Sequence, residues 1–428
     1  MKYFNKILYA TSLFLALSFV SCDKLLDVEL PSNIISREDV FSDIDVARTA
    51  VNGLYAQNFF VNNIYEYMLP LYLSNIADEA YHNSVNYDPL RYNSYSPTTS
   101  YIGHLWTYPY KAILLSNDLI EQLSATSVFT EEEQKEHIGE AKYFRAYGYF
   151  VLVNLFGDVP WVKSANVLET SLQPRESKEK IISDTDGIID DLQYAETTLA
   201  GSDNAKTRVT KAAASALLAR VYLYHEEWAN AEAKADEVIK TSGYELDPDL
   251  DNVFLRASKE AIFSASSSAS MPSYVDRTYL CVYLLNASYF KLTDDLANSF
   301  EEGDLRKEKW LKDEKTYYHC WKYKRNSASA AGDAEDLVLL RLSEQYLIRA
   351  EARAQQGKLT EAIADVNAIR QRAGLSNLSQ TLSKEEVLLA IENERRHELF
   401  LEEGHRWWDL VRTGRADAVL GAFPDKQW

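Results

Sequence analysis

Residues 394–412 read ERRHELFLEEGHRWWDLVR, and this stretch sets the architecture at the end of the chain. Its charges, two histidines and paired tryptophans invite a catalytic interpretation. On a helix, however, Arg395, Glu398 and Glu402 would follow one another at spacings of three and four, which suits ion pairs along an amphipathic helix. Gly404 and the tryptophans suit a packed helix end. We therefore expect a structural ion-pair network here and no catalytic site.

The same helical spacing of apolar residues extends outward from this stretch through most of the chain. It predicts helices over 40–55, 106–123, 131–155, 178–199, 210–224, 227–239, 337–355, 359–373 and 384–401. Start and stop signals agree with these bounds, since Ser383 with Glu386 forms a capping box and Gly243, Gly357 and Gly374 follow helix ends.

Two of the predicted helix pairs repeat each other. The matching positions, at one constant offset, are Ala219, Leu223, Trp228, Ala231 and Ala235 against Ala350, Ala354, Leu359, Ala362 and Val366. Small residues at a helix crossing, joined by a short polar turn, are typical of tetratricopeptide-type pairs, which must stack on neighbours to bury their faces. A generic helical hairpin used twice is the alternative. The sequence thus predicts a mainly α fold of such pairs, with repeat helices mainly in 40–245 and 337–412.

Two irregular insertions, at about 82–101 and 264–332, interrupt the helical period and are rich in tyrosine, tryptophan, serine and asparagine. Irregular insertions on a rigid scaffold often carry binding sites. A flat aromatic ring can cover the apolar face of a pyranose while polar side chains bind its hydroxyl rim. Our candidate ligand-binding residues are Tyr81, Asn83, Arg91, Tyr92, Tyr95, Tyr289, Trp310 and Trp321. The alternative is that these aromatics only pack the insertions onto the helices.

The composition narrows the classes of ligand and chemistry. A net charge of −19 argues against nucleic acid and against an anionic membrane surface, and it favours a neutral ligand. We expect no cofactor and no metal, because the acidic turn of Asp247, Asp249 and Asp251 lacks the glycine and glutamate of a calcium loop. Hydrolase motifs are absent from the sequence, although a glycosidase's carboxylate pair leaves no such motif. We expect a protein that is not an enzyme.

The first 21 residues have the form of an exported protein's signal peptide, with a basic start and a short apolar run. The run ends before Cys22 and resembles a lipobox, so we expect Cys22 to carry lipid and 22–428 to form the mature protein. An ordinary cleaved signal is the alternative. Cys281 and Cys320 could form a disulfide in an exported protein, but the sequence gives no distance between them.

Several stretches together resemble the SusD-like (RagB/SusD) family along nearly the whole chain. They are DKLLDVE at 23–29, the helix at 45–55, EAKYFRA at 140–146, LFGDVP at 155–160, LRLSEQYLIRAE at 340–351, NAIR at 367–370 and the stretch at 394–412. Each stretch is moderately specific for the family, and the occurrence of all of them in this order behind a lipobox is strongly specific.

This resemblance implies a SusD-like fold, with tetratricopeptide-type pairs on one side and irregular insertions over the other. It also implies a lipid-anchored, surface-exposed protein of the outer membrane. Such a protein would bind a nutrient, most often an oligosaccharide, and deliver it to a SusC-like TonB-dependent transporter. A peptide-binding member of the same family and a helical-repeat surface scaffold are the alternative functions.

Overall fold

A computed structural model describes residues 37–61, 64–199, 206–265, 289–324 and 335–428. The signal peptide, Cys22 and Cys281 lie outside the described residues, so the predictions made for them stay predictions. Cys320, the other cysteine of the possible disulfide, is buried. Within the described ranges, no helix combines the length and apolarity needed to cross a membrane.

The described chain is mainly helical, as predicted. Its α-helices are α1 Arg37–Val40, α2 Ile44–Ala56, α3 Ser74–Ile76, α4 Asp88–Arg91, α5 Ser100–Ala125, α6 Glu131–Phe156, α7 Val167–Thr170, α8 Lys178–Ser183, α9 Ile188–Thr198, α10 Lys211–Tyr224, α11 Trp228–Lys240, α12 Asp294–Ser299, α13 Leu305–Trp310, α14 Leu342–Gln355, α15 Leu359–Arg372, α16 Lys384–Leu399, α17 His405–Arg412 and α18 Ala416–Leu420. Between α2 and α3 the chain forms π-helical turns over Gln57–Val61 and Ile64–Leu73, which the sequence did not predict.

Short strands pair two by two in antiparallel fashion. They are β1 Ala80–His82, β2 Val159–Pro160, β3 Arg175–Glu176, β4 Ala261–Ala265, β5 Phe290–Leu292, β6 Leu311–Asp313, β7 Tyr318–Cys320 and β8 Leu337–Arg341. The pairs are β1 with β5, β2 with β3, β4 with β8, and β6 with β7.

Helix pairs form the scaffold, and each pair packs against the next along the chain. Helix α5 packs on α6, α10 on α11, α11 on α14, and α14 on α15. The small residues of the predicted repeat lie at these contacts: Ala219, Ala231, Ala350 and Ala362 are all fully buried. A larger side chain at these positions would push the helices apart. The predicted tetratricopeptide-type architecture is therefore confirmed.

Two predicted helices need correction. Residues 337–341, predicted as the start of a helix, form β8 and pair with β4, because a short apolar run reads equally well as a buried strand. The predicted helix at 178–199 is divided into α8 and α9 by a turn in which Asp186 has a φ of 60°. A left-handed residue cannot continue an α-helix.

The charged stretch at 394–412 does form an ion-pair network, but its pairs join separate elements and not successive turns of one helix. Arg395 donates to Asp409 at 2.7 Å, across 14 positions, and Glu398 accepts from Arg341 at 2.5 Å, across 57. Glu402 lies beyond α16, which ends at Leu399, and it also binds Arg341. The pairs are buried, so they tie separate elements together and do not decorate one helix surface.

Candidate ligand-binding surface

The pairing of β1 with β5 joins the two irregular insertions. Tyr81 faces Lys291 across this small sheet, and the backbone N–H of Asn83 continues the ladder by donating to the carbonyl of Tyr289 at 2.8 Å. At the other end, the hydroxyl of Thr293 donates to the carbonyl of Asp78 at 2.7 Å, across 215 positions. Two predicted residues, Asn83 of the first insertion and Tyr289 of the second, thus meet at the end of β1.

Tyr81 belongs to a cleft on one face of β1. The guanidinium carbon of Arg91 lies 4.0 Å from the ring centre of Tyr81 and 5.1 Å from that of Tyr92, which are cation–π distances. The cleft has a volume of about 310 Å³, and residues 423–426 also line it. Three predicted residues therefore lie together here.

His82 follows Tyr81 on the strand, so it points to the other face. There it is the second ring in a continuous row of six aromatic rings, which we call the aromatic row. In order along the surface, its members are Tyr289, His82, Tyr87, Tyr101, His104 and Tyr108.

Neighbouring rings of the aromatic row lie 4.2–6.5 Å apart between centres, and three of the five contacts are stacked. Each of the four inner rings has one stacked contact, and all four are buried or half-buried. Tyr289 is the terminal ring and is 47% exposed, whereas His82 beneath it is buried. Among the six, Tyr289 therefore offers the most open aromatic surface to a ligand.

Two histidines give the aromatic row polar groups without positive charge. Burial lowers the pKa of His82 and, with help from Lys111, that of His104, so both imidazoles are neutral at pH 7. A neutral imidazole has one donor and one acceptor nitrogen. Tyr67, outside the aromatic row, contacts it through its hydroxyl, which lies 2.5 Å from that of Tyr87.

The remaining predicted residues lie elsewhere. Tyr95 is half-buried and packs against the core. Trp310 is fully buried, and its indole N–H donates to the carbonyl of Leu250 at 3.0 Å. Its selection as a ligand-binding residue is therefore corrected: Trp310 is a core residue whose ring faces are covered by other side chains.

Trp321 lines a second, separate cleft of about 680 Å³ between α13, β6 and β7. The ammonium nitrogen of Lys312 lies 4.4 Å from the centre of its ring, and Trp321 remains half-buried. One face of this indole is thus shared with a cation. Trp321 does not belong to the group around β1.

Sequence reasoning missed several members of the surface. His104 and Tyr108 follow Tyr101 at spacings of three and four, which is a stripe of polar aromatics on α5 that could have been noticed. His82 and residues 423–426 give no comparable signal, because their positions depend on contacts far away in sequence.

One acidic trio in the described ranges, Asp186, Asp190 and Asp191, has the spacing of a metal-ion ligand set. Lys142 and Arg145 already donate to Asp191 at 2.7 Å, so its charge is neutralised by side chains. The trio is a structural ion-pair cluster.

Stacked helix pairs that carry two loop insertions define a class of helical-repeat protein. Within this class, residues 175–427 match the model of the SusD family, and residues 24–223 match a model described as "Starch-binding associating with outer membrane". The chain belongs to the SusD family.

Known relatives agree with this assignment along most of the chain. SusD-like protein P25 of Formosa agariphila is 25% identical over 486 aligned residues, which cover 97% of this chain and 90% of that protein. A SusD superfamily protein from Bacteroides vulgatus has a TM-score of 0.76 at 21% identity, covering 89% of this chain and 90% of that one. A "Laminarin binding SusD-like protein" has a TM-score of 0.73 at 24% identity, covering 89% and 94%. The structural likenesses confirm the predicted fold.

Proposed function

We propose that this protein binds a neutral oligosaccharide on the surface around β1, through Tyr81, Asn83, Arg91, Tyr92 and Tyr289. The observation that carries the proposal is the β1–β5 pairing, beside which Asn83 of the first insertion bonds Tyr289 of the second. On the same strand Tyr81 contacts Arg91, which also contacts Tyr92. We further propose that Cys22 anchors the protein to the outer membrane, and that a SusC-like TonB-dependent transporter receives the ligand.

The chemistry of this surface suits a sugar better than it suits an ion. Tyr289 offers open ring surface, and Tyr81 offers a second ring beside the cleft. Asn83 is exposed next to Tyr289, and its side chain can both donate to and accept from hydroxyl groups. A pyranose presents an apolar face and a hydroxyl rim, and this arrangement matches both.

The two positive groups of the Tyr81 cleft do not make it an anion site. Arg91 and Lys426 line it together with four carboxylates, those of Asp78, Asp294, Asp295 and Asp425, so the positive groups are outnumbered. The net charge of −19 also disfavours an anionic ligand. A neutral glycan avoids both penalties.

Comparison with relatives supports the same class of ligand. One matching family model is named for starch binding and outer-membrane association, and one structural relative is named for laminarin binding. Starch and laminarin are both neutral glucans. Trp321, in its separate cleft, is proposed as a secondary contact for a longer chain.

Calorimetric titration with malto- and laminari-oligosaccharides tests the proposal. We expect wild-type protein to bind at least one series, and Tyr289→Ala and Tyr81→Ala to bind it about 5- to 100-fold more weakly, which corresponds to roughly 1–3 kcal/mol. Their melting temperatures should stay close to wild type, because neither ring is part of the buried core.

Leu172→Ala is the control, because Leu172 is 92% exposed and lines neither the Tyr81 cleft nor the Trp321 cleft. It should bind like wild type. If Tyr289→Ala and Tyr81→Ala also bind like wild type, the ligand lies elsewhere. Binding of peptides alone would favour the peptide-binding alternative, failure to bind either class would favour the scaffold, and release of reducing sugar would favour an enzyme.

A further inference from the structure

Lys426, near the end of the chain, reaches back to the first insertion. Its ammonium nitrogen donates to the carbonyls of Asn75, Ile76 and Arg91 at 3.0, 2.9 and 2.9 Å. Asn75 and Ile76 close α3, and Arg91 is the last residue of α4. Carbonyls at helix ends have no partner inside their own helix, so they need donors from elsewhere. One side chain supplies a donor to both helices.

The neighbouring residue adds a second link. The backbone N–H of Gln427 donates to the carbonyl of Tyr92 at 2.7 Å. Two consecutive residues of the C-terminal segment therefore hold the backbone of two consecutive residues of the cleft, Arg91 and Tyr92. Within that pair, the guanidinium of Arg91 contacts the rings of both Tyr81 and Tyr92.

We infer that Lys426 is a positioning residue for the candidate ligand-binding site, holding the end of α4 so that Arg91 keeps its contacts with Tyr81 and Tyr92. This inference rests on the proposed function, because it assigns a role within that site. Lys426 itself is half-buried and contacts main chain, so its part is to fix the cleft wall.

The chemistry of the amine makes this role dependent on pH. An ammonium has three N–H donors, one for each carbonyl, whereas a neutral amine has two. Burial, opposed in part by Asp78 and helped by Arg91, lowers the pKa of Lys426 to about 8. The other charged groups lining the cleft are Asp294, Asp295 and Asp425. As the pH rises through about 8, one carbonyl loses its donor and the cleft loses a positive charge.

The test compares wild type with Lys426→Met, which keeps the length of the side chain but removes every donor, and with Lys426→Arg, which keeps donors and stays charged. We expect the Met variant to bind the oligosaccharide at least about five-fold more weakly than wild type. The Arg variant should bind with an affinity much closer to that of wild type. Between pH 7 and 9, wild-type affinity should fall while that of the Arg variant stays level.

Hydrogen exchange supplies a readout that needs no ligand. The amides of Tyr92 and Ser94 donate to Asp88 and Pro89 at 2.9 Å, so they report the integrity of α4. They should exchange faster in the Met variant than in wild type and the Arg variant. If the Met variant does not fold, the pH profiles of the other two proteins decide the question.

The two proposals fail differently. If wild type binds no member of either oligosaccharide series, the proposed function fails, and the exchange of Tyr92 and Ser94 alone judges whether Lys426 holds α4. If wild type binds but the Met variant binds equally well with unchanged exchange, or the two pH profiles coincide, the role of Lys426 is overturned. A Met variant that loses global stability but not affinity would also overturn it.

Discussion

Glu79 is a buried carboxylate immediately before β1, and its replacement by glutamine should stabilise the protein above neutral pH. Its Oε2 accepts from the hydroxyl of Ser74 at 2.8 Å and from the N–H of Leu401 at 3.4 Å. Its Oε1 is buried and has no hydrogen-bond partner among the described residues. Burial, reinforced by the nearby carboxylate of Asp78, raises the pKa of Glu79 from 4.5 to about 7.

The sign and size of the effect follow from this pKa. Between pH 4.5 and about 7, folded Glu79 holds a proton that the unfolded chain has released, so the free energy of unfolding falls as the pH rises through this window. At about 1.4 kcal/mol per pH unit, the total loss is on the order of 3 kcal/mol by pH 8. Glutamine resembles the protonated acid and does not titrate.

Urea denaturation of wild type and Glu79→Gln at pH 5, 6, 7 and 8 measures this difference. The two free energies of unfolding should differ little at pH 5 and diverge to about 3 kcal/mol in favour of Glu79→Gln at pH 8. Burying the amide group of the new glutamine costs the same free energy at every pH. The test is therefore how the difference between the two proteins changes with pH. Glu361→Gln, at an exposed position on α15, is the control and should show no such trend. A constant difference between pH 5 and 8 would refute the reasoning.

Three further outcomes are expected. Trp408→Ala should lower the free energy of unfolding by about 3–5 kcal/mol in denaturant titrations, because the indole is buried and donates to the carbonyl of Glu403 at 2.8 Å. Trp407→Ala should lower it less, because Trp407 is only half-buried, and an equal loss in the two variants would contradict the packing argument. Cys22→Ala should abolish lipid labelling and move the protein out of the membrane fraction, and an unchanged distribution would contradict lipid anchoring. Detergent-solubilised protein should co-purify with an outer-membrane transporter, and recovery only as a free monomer, while other membrane complexes survive, would count against that partnership.

Features encoded by neighbouring residues could be predicted from the sequence. Helix α16 begins where Ser383 and Glu386 form their capping box, and both hydrogen bonds of that box are present. The small residues of the repeat are buried where helices cross. Such signals need no knowledge of distant contacts, so the predicted helices lie close to those of the structure. Residues 337–341 are an exception, because their pairing as a strand depends on a distant segment.

Features encoded by distant contacts could not be predicted. Trp310 follows a charged run that resembles a solvated loop, yet α13 places its ring in the core against the carbonyl of Leu250, 60 positions away. Strand β1 has only three residues, and its register depends on β5. Composition identified Asn83, Tyr289, Tyr81 and Arg91 as candidates, but the hydrogen bond of Asn83 with Tyr289 and the contact of Arg91 with Tyr81 emerge only in the fold.

The charged stretch at 394–412 now has a structural role that explains its composition. Arg406 donates to both carboxylate oxygens of Asp78, at 2.8 and 2.9 Å, and Arg396 lies 2.9 Å from the same carboxylate. Asp78 and Glu79 lead directly into β1. Buried ion pairs contribute little net stability but penalise any arrangement that separates the charges. These arginines therefore fix the point from which β1 leaves the helical scaffold. The strand that carries Tyr81 is positioned by the same residues that resemble a catalytic cluster in the sequence.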